Sequence, residues 1–242
     1  MNIPVLRGSI ERRLLVNFRV DPEVASRILP KPFRPKLVGG YALAGICLIR
    51  LAHVRPRGLP AWIGIRSENA AHRVAVVWND GDREREGVYI PRRDTSSWIN
   101  RLAGGRFFPG DHNAASFKVE ESGSRYSVEM RSHDGAASVR VAGRRVEEMP
   151  SGSVFGSVEV ASRFFESGSV GYSDTSLPRQ YDGLELRALR WRVEPLDVTD
   201  VASSFFEDVA RFPAKSAEFD CALVMRDIEH EWHARESIVC AA

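Results

Sequence analysis

Residues 37–54 form an almost continuous apolar run rich in Leu, Ile, Val and Ala, with Gly39, Gly40 and Gly45 set into it. A run of this kind fits either a buried helix or strands of a sheet covered on both faces. Glycine inside a helix costs about 1 kcal/mol relative to alanine, and β-branched residues pack well on a pleated surface. Strands buried on both sides are therefore expected here.

The remaining segments point the same way. Residues 10–20 end in the period-2 alternation of a half-buried strand. Asp21-Pro22 predicts a short helix over 23–29, capped by Asp21 and stopped by Pro30. Pro30, Pro32 and Pro35 keep the following turn extended and stiff. A hairpin is expected between 73–78 and 87–90, turning at Asn79-Asp80-Gly81-Asp82. A capped helix is expected over 95–102, ended by Gly104-Gly105. Strand signals recur at 114–120, 126–131 and 137–141. Residues 155–165 begin with alternation and turn helical, 167–174 read as a structured loop, and 184–193 read as a strand. A serine-capped helix at 203–209, stopped by Pro213, precedes the last expected strand at 219–228. No repeat or heptad is present and the linkers are only loop-sized, so residues 1–242 are expected to form a single domain.

The 34 basic and 32 acidic residues leave a net charge of +2, too little to steer the chain onto nucleic acid or anionic lipid. Lys31, Lys36, Lys118 and Lys215 are the only lysines, so amine chemistry has few candidates. Cys47, Cys221 and Cys240 are odd in number and lack C-x-x-C spacing, which suggests neither a disulfide framework nor a thiolate zinc site. A reducing, cytoplasmic location is expected. The N-terminus has no long apolar stretch, and no segment reaches the ~18 apolar residues that span a bilayer.

Val20-Asp21-Pro22-Glu23 with Leu29-Pro30, Ser67-Glu68-Asn69 leading to Arg73-Val74, Gly87-Val88-Tyr89-Ile90 with Asp94, and Phe107-Phe108-Pro109 leading to Ala114-Ala115 form an ordered set. Phe164-Phe165-Glu166-Ser167-Gly168-Ser169-Val170-Gly171-Tyr172-Ser173 and the closing Met225-Arg226-Asp227-Ile228-Glu229-His230-Glu231-Trp232 extend it. In these segments the chain resembles the domain-of-unknown-function 2071 family, related to acetoacetate decarboxylase. The resemblance implies an α+β fold: a closed, cone-like antiparallel β-barrel with a few short flanking helices and an internal small-molecule pocket. In the decarboxylase an aromatic-Pro-Lys-Lys motif supplies a Schiff-base lysine. The matching stretch here is Phe108-Pro109-Gly110-Asp111, where Gly110 offers no nucleophile and Asp111 would raise the pKa of any nearby lysine. No Schiff-base decarboxylation is expected, and no cofactor is implied.

Five residues are candidates for the pocket. Glu68 lies where the family places a pocket-facing carboxylate; the alternative is a solvated acid paired with Arg66. Arg73 resembles the family's arginine at this place and would clamp a carboxylate through its planar fork, or pair structurally with Glu68. Arg106, Asp111 and His112 flank the missing lysine, with His112 a proton carrier if its ring turns inward and Asp111 a capping acid in the bland reading. Neighbours on a strand face opposite ways, so at most one of Asp111 and His112 enters the pocket unless the backbone turns at Gly110. Lys118 is assigned to a solvent face. His230, Trp232 and His233 lack the spacing of a zinc helix, so no metal is assigned, and the glycines of 167–174 match no phosphate-binding or nucleophile-elbow motif.

Two functional classes follow. One is a small-molecule-binding protein that keeps the pocket without the covalent lysine. The other is a lysine-independent lyase or hydrolase acting on a small keto or carboxylate compound, with Glu68 or His112 as acid/base and Arg73 or Arg106 as anion clamp. A homo-oligomer is left open, as is the ligand's identity.

Overall fold

The computed structural model describes residues 4–104 and 108–240. In chain order the elements are β1 (Leu6–Val20), α1 (Pro22–Ile28), β2 (Arg34–Pro35), β3 (Leu37–Val38), β4 (Tyr41–Pro56), a 3-10 turn at Ala61–Ile63, β5 (Ile65–Asp80) and β6 (Arg83–Thr95). They continue with α2 (Trp98–Ala103), β7 (His112–Ser122), β8 (Arg125–Ser132), β9 (Ser138–Arg145), α3 (Val158–Ser167), β10 (Val170–Asp174), β11 (Gln180–Ala188), β12 (Glu194–Ser203), α4 (Ser204–Glu207) and β13 (Ala217–Val239). The expected β-rich architecture with short flanking helices is present, and pairing runs β13–β1–β4–β5–β6–β10–β11 and returns from β11 to β13 as a cone-like ring. A second circuit leaves β6 and returns to β13 through β7, β8, β9 and β12. The two circuits share the wall β13–β1–β4–β5–β6. Pairing is antiparallel except where β6 meets β7 and β10 in parallel.

The shared wall explains the long apolar run. On β4, Ala42, Ala44, Ile46 and Leu48 face one core with Leu14 and Val16 of β1, while Leu43, Cys47, Ile49 and Leu51 face the other with Leu15. Neither set can be polar, because each side of the strand is covered. The first core is completed by Val24 of α1 and Phe205 and Phe206 of α4, and the second by Phe165 of α3.

Several sequence expectations need correction. Residues 167–174 are not all loop: Val170–Asp174 is β10, since Tyr172 buries its ring against Trp78 and Phe33 and the backbone pairs with both β11 and β6. Tertiary pairing overrides the weak strand propensity of Gly and Ser. The strand expected at 184–193 ends at Ala188, and β12 follows where none was expected. The last strand runs on to Val239, because its charged second half is paired by β1 and then β11. The helix expected at 203–209 is a single turn. Thr95 belongs to β6, so α2 starts at Trp98, with Ser97 as its cap.

Gly45 sits in the middle of the shared wall, where a side chain would collide with the Val16 carbonyl and lie 3.3 Å from Asn17 Oδ1. Its row reads Asn17, Gly45, Arg73 across β1, β4 and β5. The missing Cβ lets Arg73 reach over β4 to Asn17, whose Oδ1 accepts from Arg73 Nη2 at 2.6 Å. Gly45→Ala should therefore lower stability by about 1–3 kcal/mol, as overpacking does. A chemical denaturation midpoint equal to that of the unsubstituted protein would show that the wall has slack here.

Candidate functional site

The ring β13–β1–β4–β5–β6–β10–β11, with residues of α2 and β7, bounds a partly open cavity of roughly 150 Å³. Its apolar lining includes Ile49, Val88, Ile90, Leu184, Leu186 and Trp232. Its lining also holds a neutral polar cluster of Ser67, Asn69 and Asn100, backed by Thr95: Asn69 Nδ2 and Asn100 Nδ2 donate to Ser67 Oγ at 2.9 and 3.2 Å, and Thr95 Oγ1 donates to Asn69 Oδ1 at 2.7 Å. Asn100 is brought there by α2.

Three arginines also line this cavity: Arg13, Arg73 and Arg93, the last shared with a neighbouring groove. Among the described residues none of them has a carboxylate within salt-bridge distance. Arg13 Nε donates to Cys47 Sγ at 3.1 Å, and Arg13 Nη1 lies 4.0 Å from Met225 Sδ. Arg73, only 4% exposed, donates to Asn17, stacks on the Phe165 ring at 4.9 Å, and leaves its buried Nε without a partner. Arg93 donates to Ser173 Oγ at 3.2 and 3.3 Å. Burial pushes both Arg73 and Arg93 down to about 10, still far enough above neutrality to stay charged.

A comparison within the wall makes this deficit specific to the cavity. Arg12 and Arg92, the sequence neighbours of Arg13 and Arg93, turn to the opposite face and each pair with two carboxylates, although Arg12 Nε, like that of Arg73, is buried without a partner. Arg12, 1% exposed, binds Glu68 at 2.5 Å and Glu121 at 3.0 Å, and Arg50 joins both acids. Arg92 binds Asp94 at 2.8 Å and Asp134 at 2.9 Å. Asp94 atoms touch the cavity lining, but its carboxylate is taken by Arg92.

The sequence candidates divide accordingly. Arg73 and His112 line the cavity. Glu68 does not; strand alternation turns it to the opposite face, into the network with Arg12 and Arg50, while Arg66 pairs with Glu11 instead. Arg73 consequently bonds Asn17 and not Glu68. Gly110, at φ +72°, turns the chain so that His112 enters the cavity while Asp111 opens onto a separate surface groove lined by Arg92 and Arg101. Arg106 lies outside the described residues. Phe108 and Pro109 line the cavity, and Ser169, assigned to a loop, contributes to its wall. No lysine lines it: Lys118 pairs with Glu120 on the surface, Lys36 with Glu86, and Lys31 and Lys215 are exposed. His230 meets Trp232 edge to face at 4.7 Å, and His233 bonds Glu231 on the other face.

Sequence reasoning missed Arg13, Arg93 and Cys47. A signal was available in the doublets Arg12-Arg13 and Arg92-Arg93: adjacent residues on a strand face opposite ways, so a doublet in a wall covered on both sides must send one cation into each interior.

The DUF2071 family model, described as uncharacterized conserved protein, matches residues 8–217. No curated protein matches the sequence. Among solved structures, an acetoacetate decarboxylase-like enzyme from Sphingomonas wittichii RW1 aligns with TM-score 0.63 at 11% identity, covering 100% of this chain and 95% of that one. Acetoacetate decarboxylase from Legionella pneumophila aligns with TM-score 0.62 at 12% identity, covering 100% and 90%. The enduracididine biosynthesis enzyme MppR complexed with pyruvate aligns with TM-score 0.60 at 11% identity, covering 98% and 90%. At these identities the likeness establishes the fold. Among the described residues no helix is long and apolar enough to cross a membrane.

His112 Nδ1 lies 3.2 Å from the Gly110 carbonyl, and burial, assisted by Arg93, pushes its pKa down to about 3. Fully buried His72, stacked on Phe205, falls to about 3, and His230 to about 4, both chiefly through burial. Below the ordinary value of 6.5 the unfolded chain takes up protons that these rings refuse until about pH 4 or lower, so stability must fall as pH drops through that window. Between pH 7 and pH 5 the loss should be about 2 kcal/mol for each of His72 and His230. Urea titrations at the two pH values should show it, and His72→Leu should shrink it; a flat profile would contradict the buried, neutral assignment.

Proposed function

The chain belongs to the DUF2071 family, and on that premise we propose that it binds a small organic carboxylate in the ring cavity, held by Arg13, Arg73 and Arg93. One observation carries the reading: three arginines that line one cavity have no carboxylate partner among the described residues, whereas Arg12 and Arg92, the neighbours of two of them on the other face, are each paired with two acids. A buried charge without a counter-charge is destabilising by several kcal/mol. A carboxylate entering the cavity supplies the missing charge and accepts parallel N–H bonds from a guanidinium fork. The apolar wall and the neutral amides of the lining add shape and orientation. The modest volume suits a small acid better than a nucleotide.

MppR, one of the proteins sharing this fold, has been solved with pyruvate bound, which accords with a small keto acid as the class of ligand. The absence of a cavity lysine favours binding without Schiff-base chemistry. Incubation with acetoacetate and borohydride should leave all four lysines unmodified by mass spectrometry; an adduct on any of them would overturn that part of the reading. The alternative, a lysine-independent lyase or hydrolase, draws support from His112 beside the cavity, but Glu68 is committed to Arg12 and Arg50 and is not free to act as its acid/base.

Removing an uncompensated cation should separate stability from binding. Arg13→Met is expected to keep or raise the melting temperature of the ligand-free protein, because the charge it removes has no counter-charge. It should also abolish the stabilisation that a saturating small carboxylate gives the wild type, about 2.7 kcal/mol at one hundred times the dissociation constant. Thermal shift measurements with pyruvate and with its uncharged amide check both points. A large loss of stability in Arg13→Met with pyruvate binding intact would assign this arginine to the scaffold.

A further inference from the structure

Cys47, 6% exposed, is the softest nucleophile among the residues lining the cavity. Register places it at the centre of the three arginines. Its row runs from Leu15 on β1 through Cys47 to Ala71 on β5, Arg93 on β6 and His112 on β7. Arg13 stands one row away on the same face, paired with Ile49, and Arg73 one row away in the other direction, paired with Gly45. Residues paired across strands, and residues two apart along one strand, share a face.

A cysteine that merely filled space would behave as a small apolar residue. Here Arg13 Nε donates to Cys47 Sγ at 3.1 Å, and Arg73, whose buried Nε has no partner, lines the same cavity. The cationic neighbours concentrate an anionic ligand or reagent beside the sulfur. The same guanidiniums that would hold a carboxylate thus surround a sulfur able to attack the carbon next to it.

Resting on the carboxylate-binding reading, we propose that Cys47 is a covalent nucleophile of this site and that the ligand is a 2-oxo acid. Sγ adds to C2 of the bound acid. The S–C bond forms as the C=O π bond breaks, and the thiol proton ends on the former keto oxygen. The product is a reversible thiohemiketal, and nothing is oxidised or reduced. The other two cysteines provide internal comparisons: Cys221 is fully buried, its thiol pushed up to about 12 by burial, and Cys240 is partly exposed near Lys31.

Two measurements on the intact protein test this. The first is peptide mapping after timed reaction with iodoacetate or with iodoacetamide. Cys47 should react at least about tenfold faster with the anionic reagent, as expected where fixed positive charge concentrates anions, and pyruvate should protect it; Cys240 should show no such preference. The second is NMR of [2-13C]pyruvate bound to wild type and to Cys47→Ser. The wild type should show a protein-bound, tetrahedral C2 signal that Cys47→Ser lacks. If pyruvate stabilises both proteins equally and C2 stays a carbonyl in both, the thiol assignment falls while the carboxylate reading stands. Selective labelling of Cys47 without a tetrahedral signal overturns the 2-oxo acid assignment. If no carboxylate stabilises the wild type and Cys47 shows no preference for iodoacetate, both readings fall together.

Discussion

Because β1, β4 and β13 are covered on both faces, every polar group set into them must be answered within the wall or by something that enters from outside. On the side of the larger circuit the answer is internal: Arg12, Arg50, Glu68 and Glu121 form a closed network of opposite charges. On the cavity side, among the described residues, Arg13 meets only sulfur atoms and Arg73 only an amide oxygen and an aromatic face. The same wall holds matched charge on one face and unmatched charge on the other. Packing alone gives no reason for that asymmetry, and binding an anion does.

The scaffold also fixes how rigid such a site is. Arg73 reaches Asn17 across a strand stripped of its side chain at Gly45, and Arg93 is tied to Ser173 on β10. Guanidiniums anchored on central strands lose little freedom when a ligand arrives, which favours affinity. The desolvation that lowers the pKa values of Arg73, Arg93 and His112 has the same origin, a lining built largely of Val, Ile, Leu and Trp side chains. An imidazole held neutral there can offer a hydrogen-bond donor or a lone pair without adding to the positive charge.

Much of the architecture was legible from residue patterns. The apolar run of 37–54 requires cover on both faces, and β4 receives it; Asp21-Pro22 caps α1 as expected, its carboxylate accepting from the Glu23 and Val24 amides. The less legible parts were those whose stability comes from distant partners. Val170–Asp174 has poor intrinsic strand character and becomes β10 only because β6 and β11 flank it. The second half of β13 carries alternating charges that read as surface, yet β11 pairs along it. Within the site, Arg73 and His112 could be singled out from local motifs, whereas Glu68 was misplaced by one step of alternation, which on a strand is the difference between two separate interiors.

What the sequence determined by itself was composition and period: which segments alternate, which are apolar on both sides, where helices are capped, and that no lysine accompanies Phe108-Pro109. Those properties are local, because propensity, capping and alternation depend on residues within a few positions of one another. Only the tertiary structure decided that Arg13, Cys47, Arg73, Arg93 and His112 share one cavity. They lie on five different strands, and their meeting depends on the register and closure of the ring, set by pairings between residues as far apart as Arg13 and Met225.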